Sequence, residues 1–346
     1  MLGVTVSTHS PLPRPATIRT VADRAGVSKS LVSLVLRGSP KVSAEKRKAV
    51  QDAIDELGYR PNAIARQLTE RRTNMVGVLL NDLRNPWFVD CLDGLTGVLH
   101  AAGLRTVLAD GRLDRSTDDA LLQGFLELRV DGLVLVGAMA SSPTIVEAAT
   151  AVPTVVAASR DISLPHVDVV ANDDWVGTGL AMQHLIGLGH TRIAHLAGSL
   201  GAVADLRRRS YLDTMRRSGL AEEQVIESSD MTEEGGYRAA IRLLTRPTRP
   251  TAIFAVNDIT CVGAMSAAQE LGLRVPLDVS LVGYDNTSLA QIRHLWLTSV
   301  DNASAEVGQI AASSLLRRIA DPTAAATEKL LRPSLKIRGS TAAPLP

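Results

Sequence analysis

Two periodicities divide this chain. Over residues 17–58 apolar residues recur at helical spacing, whereas from Met75 onward short apolar runs alternate with helical stretches. In the first segment Val50, Ile54 and Leu57 fall at i, i+4 and i+7 and predict a helix over residues 43–57, stopped by Gly58. Two shorter helices precede it. Ala22 is small enough for a helix crossing, Gly26 can take the positive φ of a tight turn, and Val32 can plug the second helix onto the first. Thr17 and Ser28 stand where N-caps are needed. Three helices in this order are the pattern of a helix-turn-helix DNA reader.

The second segment reads differently. MVGVLL (75–80), LRTVLA (104–109), GLVLV (132–136), TVVAA (154–158), RIAHLAG (192–198), AIFAV (252–256) and SLVGY (280–284) are buried-strand runs. Helical stretches over 89–100, 117–128, 177–188, 206–217, 236–244 and 261–271 separate most of them. Strands alternating with helices predict an α/β body of parallel sheets covered on both faces, long enough to split into two subdomains. Such sheets bind ligands outside the C-terminal ends of their strands.

Composition sharpens this picture at three points. The net charge of +1 hides an asymmetry: residues 17–72 hold twelve Lys/Arg against six Asp/Glu, so residues 73–346 carry −6. A basic module on an acidic body predicts that one part alone meets nucleic acid. Two cysteines, Cys91 and Cys261, far apart in the 346 residues, suggest neither a disulfide framework nor a zinc site and fit a reducing cytoplasm. Apolar residues make up 45% of the chain, yet no run reaches membrane-spanning length, and residues 1–16, with His9, Pro11, Pro13 and Pro15, read as a disordered leader rather than a signal peptide.

Catalytic motifs are missing from the sequence. There is no G-x-S-x-G, no P-loop and no G-x-G-x-x-G at a strand-to-helix turn. His184, His190 and His195 have no metal-ligand spacing and read as structural. Asp118-Asp119 reads as a solvated helix start, and Asp173-Asp174 as a cap or a pocket pair. No enzyme activity, metal or cofactor is expected.

TIRTVADRAGVSKSLVS, GSPKVS and ELGYRPNAIARQL, in this order near the N-terminus, resemble the headpiece of the lac repressor family of bacterial transcription regulators. The resemblance extends over almost the whole chain and ends in LLRPSLKIRGST. It implies a leader (1–16), a helix-turn-helix headpiece (17–60), a hinge helix and linker (61–72), and a two-lobed, periplasmic-binding-protein-like body (73–340) with three crossovers between lobes. Lys29 and Ser30 match positions that reach base edges, with Ser28 beginning the turn that faces DNA. Leu34 stands where the family often has Arg; it either packs on a thymine methyl or belongs to ordinary packing. Thr17, Ser33 and Ser43 are candidates for phosphate contacts. Asn62, Ala65 and Leu68 belong to the segment that the resemblance makes a DNA-ordered hinge helix, with Leu68 as a minor-groove wedge.

In the body, the block NDLRNPWF follows the first strand and resembles the family's pocket loop. Asn85 can hydrogen-bond a hydroxyl, while Trp87 or Phe88 either stacks on a sugar face or packs into the lobe core. Arg160 ends a strand and is a further pocket candidate. The resemblance implies that Arg207, Asn257 and Asp285 hold ligand hydroxyls or carboxylates, and that Asp258 caps the next helix. Asp205 stands where a second Arg is common, and Arg208 and Arg209 leave room for a phosphorylated sugar.

The expectation is therefore a cytoplasmic, bacterial, homodimeric repressor of carbohydrate genes that binds near-palindromic operator DNA and responds to a sugar or sugar derivative. An activator of the same family is the alternative. A sugar-binding protein would lack the headpiece, and an enzyme would turn its sugar over.

Overall fold

Helices of eight residues do not hold themselves in water, so the short N-terminal helices rely on caps and on each other. The computed structural model describes residues 16–36, 38–59, 72–112, 114–137, 141–160, 162, 164–199 and 201–346. Nearly all of the expected leader and hinge segment, Asn62, Ala65 and Leu68 included, lies outside the described residues. The chain divides between Thr73 and Asn74 into two compact units, each taken by itself.

In the first unit, α1 (Ile18–Ala25) opens with a reciprocal cap: Thr17 Oγ1 accepts from Thr20 N at 3.2 Å, and Thr20 Oγ1 accepts from Thr17 N at 2.9 Å. Gly26 ends it at φ +65°. Helix α2 (Lys29–Leu36) starts where Ser28 Oγ accepts from Leu31 N at 3.2 Å. Helix α3 (Ala44–Leu57) is capped by Ser43 and stopped by Gly58. Val21, Ala22, Val32, Val35, Val42, Val50, Ala53 and Ile54 form the core they share.

The second unit alternates strand and helix: β1 (Met75–Leu80), α4 (Pro86–Ala101), β2 (Arg105–Asp110), α5 (Arg115–Glu127), β3 (Gly132–Val136), α6 (Pro143–Ala151), β4 (Thr154–Ala157) and β5 (Asp168–Asn172). It continues with α7 (Asp174–Gly187), β6 (Ile193–Gly198), α8 (Ala202–Arg217), β7 (Val225–Ser229), α9 (Glu233–Leu244), β8 (Ala252–Ala255), α10 (Asp258–Glu270) and β9 (Ser280–Tyr284). The last elements are α11 (Ser288–Gln291), β10 (Thr298–Asp301), α12 (Ser304–Ala320), β11 (Glu328–Leu331) and β12 (Ser334–Lys336).

The strands form two six-stranded sheets, ordered β11-β5-β4-β3-β1-β2 and β12-β10-β9-β8-β6-β7. Every pairing is parallel except β10 with β12. The chain crosses between sheets three times: after β5, after β10, and between β11 and β12. The expected crossovers between two lobes are therefore present. The seven apolar runs named above are all strands; β5, β7, β10, β11 and β12 went unseen because their polar residues break the apolar pattern.

Both lobes solve helix packing alike. A Cβ at Gly94 or Gly308 would lie 2.1 or 1.9 Å from a backbone carbonyl oxygen of the facing helix in the α4–α12 pair. At Gly236 and Gly263, in the α9–α10 pair, the distances would be 2.3 and 2.0 Å. Among the described residues no helix is long and apolar enough to cross a membrane.

Candidate functional site

Two places gather the chemistry. The first is the outer face of α2. Val32 and Val35 turn inward and are buried, which leaves Lys29, Ser30, Ser33 and Leu34 on the opposite face of the helix. Ser28, Lys29 and Ser30 are exposed, and Ser33 is half-buried. Leu34 is 38% exposed, so it is not part of the headpiece core. Thr17 and Ser43, exposed at the starts of α1 and α3, use their oxygens as helix caps.

The second place is the cleft between lobes, at the strand ends. Asn85 caps α4 by accepting from Trp87 N, and its Nδ2 reaches across the lobes to Asp285 Oδ2 at 3.5 Å. Asp285 follows β9 with φ +100°, a conformation that costs a non-glycine residue energy and aims the carboxylate into the cleft. Asn302, on the crossover after β10, donates to Asp285 Oδ1 at 3.0 Å. Burial pushes the Asp285 pKa up to about 6, against the pull of the Arg207 guanidinium.

Arg207 on α8 is buried in this cluster. Its Nε and Nη2 stand 2.8 Å from Asp174 Oδ1, Nη2 is 3.5 Å from Asp285 Oδ1, and Nη1 donates to Val256 O. The guanidinium carbon lies 3.5 Å from the centroid of the Tyr284 ring. Burial alone would weaken its positive charge, but Asp174 and Asp285 more than offset that and hold it protonated.

The other candidates separate. Phe88 is half-buried; a Cβ on Gly137, just after β3, would lie 3.1 Å from its ring, which places Phe88 at the strand ends. Trp87 is instead 4% exposed in the core of the first lobe, with Nε1 donating to Asn302 Oδ1 at 2.8 Å. It positions Asn302 and offers no stacking face. Arg160 does not join the cluster: it pairs with Glu328 on the edge strand β11, each side chain 52% exposed. Asn257 caps α10 by accepting from Thr260 N at 2.9 Å and donates to Met231 O at 3.5 Å.

Asp258 is not the cap expected. It is buried beneath the cleft, where its Oδ2 accepts from Thr287 N and Oγ1 and its Oδ1 from Ser299 Oγ. Burial, with Asp285 nearby, pushes its pKa up to about 7. Arg208 and Arg209 both pair with Asp205 along α8 and bring no charge to the cleft. Asp118 is not solvated either: it is 8% exposed, and burial pushes its pKa up to about 6. Of the histidines noted in the sequence, His184 Nε2 pairs with Thr341 Oγ1, His190 Nδ1 with Thr251 Oγ1 and His195 Nδ1 with Phe254 O; His195 also stacks on Phe254, and burial lowers its pKa to about 4.

One cleft residue escaped the sequence and a second was only half seen. Asn302 follows a strand too polar to be noticed. Asp174 was half-visible in the Asp173-Asp174 pair, which the structure divides: Asp173 caps α7 by accepting from Val176 N, and Asp174 meets Arg207.

Residues 17–62 match the family described as bacterial regulatory proteins, lacI family, and residues 182–341 match the periplasmic binding protein-like domain. The ribose operon repressor of Escherichia coli strain K12 is 34% identical over 329 residues, covering 94% of this chain and 99% of that one. The transcriptional repressor PurR of Proteus mirabilis is 33% identical over 331 residues, covering 94% and 97%. Among solved structures, the lac repressor dimer bound to operator and the anti-inducer ONPF is similar at TM-score 0.85 and 28% identity, covering 95% of this chain and 100% of that one. A LacI family regulator from Enterococcus faecium with bound ribose gives TM-score 0.72 and 27% identity, covering 78% and 99%.

Proposed function

This chain belongs to the lacI family of bacterial regulatory proteins and is a ligand-responsive, sequence-specific DNA-binding repressor, and on that premise we propose that it controls carbohydrate genes from the cytoplasm as a homodimer. Each headpiece reads half of a near-palindromic operator. Lys29, Ser30 and Leu34 meet base edges, Thr17, Ser33 and Ser43 meet phosphates, and Ser28 begins the turn that faces DNA. Asn62, Ala65 and Leu68 complete the DNA contact.

The effector is a small sugar held by Asn85, Asn302, Asp285, Arg207 and Asn257, with Phe88 against its apolar face. The convergence of Asn85, Asn302 and Arg207 on one buried carboxylate carries this assignment. A vicinal diol donates and accepts at once and so satisfies such a set, whereas an apolar ligand would leave buried polar groups unpaired. The names of the relatives add ribose as the first sugar to try. The effector shifts operator affinity only through a difference in its affinity for the two lobe arrangements.

The test is a thermal-shift screen of the full chain against neutral sugars, followed by operator release measured by fluorescence anisotropy. A native-state ligand raises the melting temperature and should change operator affinity. The sugar should be recovered chemically unchanged. A sugar that stabilises the body but leaves operator affinity untouched would sink the coupling; turnover would sink the binding-only assignment.

A further inference from the structure

The Arg207 guanidinium would by itself make the cleft attractive to phosphates and carboxylates. In this chain that charge is already answered. Asp174, the first residue of α7, sits 2.8 Å from two of its nitrogens, Nε and Nη2, and Asp285 lies 3.5 Å from Nη2 as well. Both carboxylates and the guanidinium are nearly fully buried. No second cation offsets the surplus: among the described residues the buried arginines are Arg207 and Arg318, and Arg318 is bound to Asp168. Arg208 and Arg209 are held by Asp205. Burial pushes the Asp285 pKa up to about 6 even against the pull of Arg207, and the nearby Asp174 carboxylate adds to the rise.

We propose that Asp174 is the charge filter of this cleft: by neutralising Arg207 in advance, it bars sugar phosphates and sugar acids and leaves the site open to uncharged sugars. This rests on the assignment of the cleft as the effector site. An anionic ligand would enter a buried cluster that already holds more carboxylates than cations, and water cannot screen the repulsion there. A neutral polyol meets no such barrier. Its hydroxyls donate to Asp285 and accept from Asn85 and Asn302. Asp174 is therefore a specificity residue that acts through Arg207.

The experiment compares the full-length parent with Asp174→Asn, which keeps an oxygen for Arg207 and removes the charge. Titration calorimetry is run with neutral aldoses, each paired with its phosphate and its aldonate, and with inorganic phosphate alone. The parent should prefer the neutral member of the pair, and Asp174→Asn should shift the anion-to-neutral affinity ratio by about tenfold or more. Asp174→Ser is the second variant, and melting temperatures identify which variants fold. The proposal is overturned if the parent takes a sugar anion as tightly as its neutral counterpart, or if a folded variant leaves the ratio unchanged. If the parent binds no sugar at all, the effector assignment falls instead. Inorganic phosphate then decides the filter, because headpiece phosphate binding is common to both proteins and cancels. A gain in the Asp174 variants over the parent upholds it, and no gain overturns it.

Discussion

The headpiece and the cleft put their polar groups to opposite uses. On α2 the groups assigned to DNA stand outward, and the capping of each helix comes from a residue three positions away in sequence. In the cleft Arg207, Asp285 and Asn302 are buried, and with the half-buried Asn85 and with Asp174 they are bound to one another, across 33 positions for Arg207 and Asp174 and 200 for Asn85 and Asp285. A surface reader keeps its donors in water until DNA replaces that water, so one side chain can be changed at little cost to folding. A buried cluster is part of the fold as well as of the site. Removing one member leaves its partners desolvated and unpaired.

That contrast can be broken in several ways. Deleting residues 1–72 should lower specific operator affinity by about a thousandfold or more, to the level of non-specific binding or below, while the body still melts cooperatively; unchanged operator binding by the truncated protein would end the comparison. Arg207→Ala should cost about 3–5 kcal/mol of stability, since it leaves Asp174 and Asp285 buried without their cation. It is therefore not a clean test of ligand contact, and a parent-like melting temperature would mean the ion pairs are not buried as described.

A pH effect of a few kcal/mol at most is expected from Asp258, whose folded-state pKa of about 7 lies above the ordinary 3.8. The folded state then binds the extra proton, so this contribution is complete below about pH 4 and is lost as pH rises through 7. Relative to Asp258→Asn, the parent should lose melting temperature between about pH 5 and 8, and a flat difference over that range refutes the burial argument. His195, lowered to about 4, acts in the opposite sense and is common to both proteins.

On the headpiece, Lys29→Ala should reduce base discrimination by about 1–3 kcal/mol if it reads a base edge, or flatten the salt slope by about one if it meets phosphate. Either result should come with an almost unchanged melting temperature. Ser43→Ala, which removes the cap on Lys46 N, should cost about 1 kcal/mol of headpiece stability, read by denaturant titration.

The sequence by itself determined what is local. Caps, the Gly26 turn, the α2 core face and the long apolar strands follow from spacings of two, three or four residues, where backbone geometry leaves few alternatives. It also determined the two-part organisation, because the switch of period after the headpiece and the charge asymmetry are both written along the chain. The tertiary structure alone decided which polar residues meet. Trp87 and Phe88 are adjacent, yet one is buried in the lobe core and the other lies at the strand ends. Asp173 and Asp174 are adjacent, yet one caps a helix and the other holds Arg207. Asn257 took the cap expected of Asp258. Neighbouring side chains on a chain about to turn point in different directions, and their partners are dozens of residues away. Only the packing of two sheets and three crossovers fixes which direction is the cleft.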